Sequence, residues 1–225
     1  MRRRRRGLPD AEVAAAWQCA SLLLDYPDSC DLAPVRAVVP RLSPPLREPL
    51  ADCLARIDAL GEQERQEEYV ATFDSRRRCN LFLTYFAHGD TRKRGVALLR
   101  FKQAYLAAGA APDDAELPDH LCVVLEFGAT VDLAAARQLL LDHRAGLELL
   151  RLALRDAGSP WASVIEAVTA TLPPLRGEER EAVRKLAAEG PPEEEVGLAP
   201  FATPQFSGDS GASELPMPTF PGAHA

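Results

Sequence analysis

The sequence predicts an all-α fold: one helical bundle with a disordered N-terminal arm and a disordered C-terminal tail. The apolar residues are helix formers, with 37 Ala and 32 Leu against 13 Val and 2 Ile in 225 residues. Side chains without a branch at Cβ suit helices, and β-branched ones favour strands. Leu133, Leu140, Leu147 and Leu154 recur every seven residues, with Ala136, His143 and Leu150 on adjoining positions. That is one apolar stripe, fit for the centre of a bundle. Gly and Pro stop signals separate the helical segments.

Asp10 caps a first helix that runs to about Tyr26 and stops at Pro27. Short helices follow near 31–39 and 45–60, the second closed by Gly61. Glu62 to Asp74 forms another, with Tyr69 and Phe73 four apart on one face. Asn80–Phe86 reads as a buried helical segment ending at His88-Gly89. Asp90 caps a helix through Tyr105 that stops by Gly109. Pro118 suits the first turn of a helix through Phe127. Thr130 opens a long helix to Ala157, closed by Gly158, and Ser159-Pro160 restarts the chain to about Thr171. Glu178–Glu189 makes a last helix.

Three regions follow. Residues 1–9 hold five Arg, residues 10–189 form the helical domain, and residues 190–225 are rich in Pro and acidic, with no Lys or Arg. The arm's +5 and the tail's −5 cancel, which leaves the net −7 on residues 10–189. An acidic folded part is not expected to bind nucleic acid or anionic membrane. The longest uncharged apolar stretch, Val13–Leu24, has 12 residues, short of the ~20 that span a bilayer. Arg2–Arg6 is followed by Gly7-Leu8-Pro9-Asp10 and no apolar core, so an export signal is not expected. Five cysteines, Cys19, Cys30, Cys53, Cys79 and Cys122, with no C-x-x-C pair, predict reduced thiols rather than a disulfide or zinc framework.

Catalytic motifs are missing. Gly208-Asp209-Ser210-Gly211 looks like a hydrolase nucleophile segment, but it lies in the tail, where nothing holds a base. No two of His88, His120, His143 and His224 have the i, i+4 spacing of a helical metal site. His143 on the apolar stripe reads as a core histidine. We therefore expect no enzyme, no catalytic residue, no metal and no cofactor. The competing class is a hydrolase using Ser210, or a metalloenzyme using His88, His120 and a cysteine.

Two stretches suggest binding. In a helix begun by Pro118, Asp119 and Glu126 are seven apart on one face, about 10 Å along the axis, and Glu116 extends the strip. That separation is too wide for one shared metal, but suits a basic peptide with one cation per carboxylate. A solvated helix face with an acidic first turn is the plainer reading. Gly89-Asp90-Thr91-Arg92-Lys93-Arg94-Gly95 places three cations in a helix's first turn, against its dipole. Such cations call for partners: Arg92 or Arg94 with the Asp119/Glu126 strip, with Asp74, or on another protein.

At these residues the chain resembles the NarJ family, the assembly chaperones of respiratory nitrate reductase, within the TorD/DmsD-like group of molybdoenzyme chaperones. The resemblance covers about residues 12–173. Its anchors are Leu22-Leu23-Leu24-Asp25-Tyr26-Pro27, Glu68-Tyr69-Val70-Ala71-Thr72-Phe73-Asp74, Leu81-Phe82-Leu83-Thr84-Tyr85, Gly89 to Gly95, Glu116-Leu117-Pro118-Asp119-His120-Leu121 with Leu125-Glu126-Phe127, and Ser159-Pro160-Trp161. It implies an all-α, cytoplasmic chaperone without catalytic activity. The implied partner is the apo catalytic (alpha) subunit of nitrate reductase, including its N-terminal segment, kept competent for molybdenum cofactor insertion; the insertion machinery is a further implied partner. A chaperone for another molybdoenzyme or a twin-arginine precursor is the alternative. Glu116, Asp119 and Glu126 are then the expected cation receivers, His120 a pH-sensitive hydrogen-bonding group, and Tyr69, Phe73 and Tyr85 groove walls. Asp90, Arg92 and Arg94 are expected in partner docking or internal ion pairs. Gly128 and Cys122 depart from the family pattern, and Gly128 is expected to end the helix or open space.

Overall fold

The computed structural model describes residues 7–28, 31–89, 91–111 and 116–189, all within the compact unit Met1–Glu194. Expectations for Asp90, Cys30, the 1–6 part of the arm and the 190–225 tail with Ser210 and His224 lie outside the described residues.

The described residues form α1 (Asp10–Leu24), α2 (Ala33–Val38), α3 (Pro44–Asp58), α4 (Glu62–Tyr69), α5 (Tyr85–His88), α6 (Arg92–Ala107), α7 (Leu121–Thr130), α8 (Leu133–Asp142), α9 (Arg144–Asp156), α10 (Ala162–Ala170) and α11 (Gly177–Glu189). There is no strand among them, only an isolated antiparallel bridge between Phe82 and His120. The all-α expectation is met.

The core gathers on α1. Trp17 is fully buried and donates from Nε1 to Thr171 Oγ1 at 3.0 Å. Trp161 is also buried, and its Nε1 donates to the Leu23 carbonyl at 2.8 Å. Two indoles thus pin α1 to the α10 region, with each buried N–H satisfied. Gly128 supplies the close approach on the other side of α1. A Cβ there would come within 2.6 Å of the Trp17 ring and 2.7 Å of Ala136 Cβ. The glycine neither ends α7, which continues to Thr130, nor opens a gap. It lets α1, α7 and α8 meet.

Several boundaries differ from expectation. Asp10 is the first residue of α1 and makes no capping hydrogen bond, and Thr130 ends α7, while Asp132 caps α8 by accepting from Ala135 N at 2.9 Å. Asn80–Phe86 is not helical until Tyr85, because residues 81–83 pair with 119–121: Leu83 N donates to Asp119 O at 3.1 Å and Leu121 N to Leu81 O at 2.9 Å. The helix expected from Pro118 begins at Leu121 for the same reason. The expected 130–157 helix is two, broken at His143 (φ −108°, ψ 21°). At the break Arg144 turns inward and meets Glu148 at 2.7 Å, and Glu148 also accepts from Arg151 Nε at 2.8 Å. The heptad leucines Leu140, Leu147 and Leu154 are nevertheless all buried. The Glu62–Asp74 helix holds, its last part widened to a π turn over Val70–Asp74.

Candidate functional site

The bridge decides what Asp119 does. Its carboxylate is completely buried and its Oδ2 accepts from Thr84 N at 3.0 Å and from Thr84 Oγ1 at 2.5 Å. Arg94 Nη2 stands 3.8 Å from the same oxygen, and Arg94 Nε donates to Thr84 Oγ1 at 3.2 Å. The guanidinium lies over the Phe82 ring, 5.1 Å from its centroid. Pro118, one residue earlier, is held by Tyr105, whose hydroxyl donates to the Pro118 carbonyl at 2.5 Å. The anticipated internal pairing of Arg94 with Asp119 is therefore present. Asp119 precedes α7, so it does not share a helix face with Glu126, and a fully buried carboxylate is not part of a surface strip. Arg92 is exposed at the head of α6.

Glu116 and Glu126 are exposed, and they do face one space. A groove of about 650 Å³ lies between α1, the end of α6, and α7. Its walls carry the carboxylates of Asp25, Glu116 and Glu126, with Leu22, Val123 and Val131 between them. No Lys or Arg lines it among the described residues. The facing helices are registered by Ser21, whose hydroxyl donates to the Cys122 carbonyl at 2.9 Å.

The groove's electrostatics register on neighbouring groups. Burial pushes the Cys122 thiol well up, and the carboxylates of Asp25, Glu116 and Glu126 add to the shift. His120 lines the groove with its ring edge-on to Phe82, centroids 5.0 Å apart. Burial lowers its pKa below the ordinary imidazole value, while Glu116, Asp119 and Asp25 act in the opposite sense. Its Nδ1 is buried and has no hydrogen-bond partner among the described residues.

Tyr69, Phe73 and Tyr85 do not wall this groove; all three are buried in the interior. Tyr69 donates from its hydroxyl to the Leu24 carbonyl at 2.9 Å and packs edge-on to Trp161 at 5.4 Å. Phe73 meets the same indole at 5.3 Å. Tyr85 packs against Phe86. The four-residue spacing of Tyr69, at the end of α4, and Phe73, in the π turn after it, marked a shared face correctly, but that face is the core one.

Asp25 is the member of the site that sequence reasoning missed, although it stands inside a quoted motif. Its signal is the Leu22–Asp25 spacing of three, which puts an apolar and an acidic side chain on one face of α1's end. Among the described residues no group of three His, Cys, Asp or Glu could hold a metal ion, and no helix is long and apolar enough to cross a membrane. Cys19, Cys53, Cys79 and Cys122 are buried and unpaired.

Residues 39–166 match the family model described as "Nitrate reductase delta subunit". The chain is similar to the nitrate reductase-like protein NarX of Mycobacterium tuberculosis H37Rv, 41% identical over 155 residues. The match covers 69% of this chain and 24% of NarX, so the chain spans about a quarter of that relative's length. It is 31% identical to the probable nitrate reductase molybdenum cofactor assembly chaperone NarJ of Bacillus subtilis strain 168, over 69% of this chain and 87% of the relative. NarJ of Escherichia coli K12, named a nitrate reductase molybdenum cofactor assembly chaperone, is 28% identical over 65% of this chain and 64% of its own length.

Proposed function

Because the chain belongs to the nitrate reductase delta subunit family, with relatives of the NarJ type, we propose that it is an assembly chaperone and not an enzyme. Its client is the catalytic subunit of nitrate reductase in the apo form, bound at least in part through a basic, partly apolar N-terminal segment. Binding holds the subunit ready for molybdenum cofactor insertion. The work is done in the cytoplasm, and the cofactor insertion machinery is a second partner.

The acidic groove is the observation that carries the client reading. Three carboxylates separated by apolar side chains, with no cation among them, suit a helix bearing cations beside apolar anchors. Apolar contact supplies affinity, and the carboxylates fix register and exclude acidic segments. His120 offers a buried Nδ1 at the groove wall to a donor or through a water. Asp119 acts indirectly, by holding the segment that carries Glu116 and His120.

Affinity capture from cells respiring nitrate tests this reading. Recovery of the apo catalytic subunit, and not of the cofactor-loaded enzyme, is expected. Equal recovery of both forms would sink the chaperone assignment, and recovery of a different molybdoenzyme would reassign the client.

A further inference from the structure

Helix α6 has two apolar faces. Ala97, Phe101 and Tyr105 are buried against the bundle. Val96, Leu99 and Leu106 look outward and are 63%, 55% and 64% exposed. With Arg92 and Gln103 these three fall at successive spacings of four, three, four and three, which is one stripe along a helix. Lys93 and Arg100 are exposed beside it, seven residues and about 10 Å apart. The whole of α6 contains no Asp or Glu. On a chain of net charge −7 this is a local reversal of sign, laid along uncovered Leu and Val. Apolar side chains lined up on one exposed stripe, unlike single scattered ones, mark a contact surface.

The surface that matches it is on the same molecule. The groove between α1 and α7 is acidic where α6 is basic, and it too leaves an apolar side chain uncovered, Val131 at 50% exposure. We propose that a second copy of this chain seats the outer face of α6 in the acidic groove. Leu99 and Leu106 meet Leu22, Val123 and Val131, and Lys93 and Arg100 meet the groove carboxylates. One contact then covers both exposed apolar surfaces and neutralises both charge excesses. A lipid surface would cover the α6 stripe alone and leave the groove's carboxylates and Val131 unmatched. Exchanged reciprocally, two such contacts close a dimer; made once, they leave a free stripe and a free groove at either end. The chain in this state presents to its own groove the chemistry of a basic amphipathic helix, so self-association and any other basic helix compete for one place. The inference needs only the groove's charge and shape, not the identity of a client.

Sedimentation equilibrium of the full chain over a wide concentration range tests it. Reversible self-association is expected, weakened about tenfold or more by Arg100→Glu or by Glu126→Arg, both at exposed positions. Leu99→Ser should weaken it without a change of charge. Mixing the Arg100→Glu chain with the Glu126→Arg chain should restore association between unlike copies, since each supplies what the other has reversed. A monomer at every concentration would overturn the proposal, as would association indifferent to all three substitutions. Flotation with vesicles of phosphatidylcholine and phosphatidylglycerol that depends on Leu99 and Arg100, in a chain that does not self-associate, would assign the stripe to lipid instead. Calorimetry with a basic client peptide on the unsubstituted chain keeps the two readings apart: peptide binding by a chain that never self-associates defeats only the present inference, and self-association without peptide binding defeats only the client assignment.

Discussion

Asp119 and Arg94 meet at 3.8 Å across the start of α6, with Thr84 hydrogen-bonded to both. The carboxylate has no exposure, and the guanidinium side chain keeps 15%. Removing one partner of a buried pair leaves the other charge uncompensated. Asp119→Ala should therefore destabilise the domain by about 3 kcal/mol, read as a lower urea midpoint with unchanged slope. Asp119→Asn keeps an acceptor for Thr84 and should cost less. Equal midpoints for wild type and Asp119→Ala would remove the pair from the list of what holds this fold.

Glu116 and Glu126 behave in the opposite way, because both are exposed. Glu126→Lys should leave the thermal midpoint nearly where it was and weaken binding of a basic helical peptide about tenfold or more. The loss should shrink as salt rises, since exposed charges are screened. Calorimetry at two ionic strengths reads both effects, and an affinity indifferent to this substitution would take Glu126 out of the groove's function.

Gly128→Ala sets two effects against each other. Ala favours a helix over Gly by about 1 kcal/mol, yet its Cβ would lie 2.6 Å from the Trp17 ring and 2.7 Å from Ala136 Cβ. Neither neighbour is a flexible chain end. Overpacking of this kind costs about 1–3 kcal/mol, so net destabilisation is expected in chemical denaturation, with a larger loss for Gly128→Val. A stabilised Gly128→Ala would show that α1 and α7 can part freely.

Acidification should loosen the fold through its two buried histidines. Burial lowers the pKa of both His120 and His143 below the unfolded value of 6.5. The unfolded chain then binds more protons in that interval, so stability rises with pH there. The contribution is fully present above pH 6.5 and is lost as pH falls through the folded-state values. His120 faces Glu116, Asp119 and Asp25, while His143 faces Asp142, Asp119, His88 and Arg100. Thermal midpoints between pH 7.5 and 5.5 should fall, and less steeply in His143→Gln. A flat profile over that range would contradict the buried-neutral assignment.

Much of the bundle was legible because local rules decide helices. Pro and Gly stops and the seven-residue leucine repeat placed nearly every helix, whereas the expected caps at Asp10 and Thr130 do not act as caps. The other failures share a cause. Asp119 looked like the second residue of a helix begun by Pro118, but Leu83 pairs with its backbone, and Thr84, 35 residues away in sequence, holds its carboxylate inward. No helical periodicity carries that information. The break at His143 was hidden for a similar reason, since the leucine repeat runs on through it. In the site, Glu116 and Glu126 were found as charges near an apolar run. Asp25 was not, because the groove exists only once α1 lies along α7, more than ninety residues away in sequence.

The short pairing of Phe82 with His120 has an entropic consequence for whatever enters the groove. Leu121 N and Leu83 N are donated across it to Leu81 O and Asp119 O, so the stretch that displays Glu116 and His120 is tied at its root before any partner arrives. Little ordering remains to be done on binding, which favours tight recognition per unit of contact. The same tie should show as slow amide hydrogen exchange at Leu83 and Leu121, two protected points outside any helix interior. Cutting the Asp119 anchor would then loosen the groove's wall as well as the core beneath it.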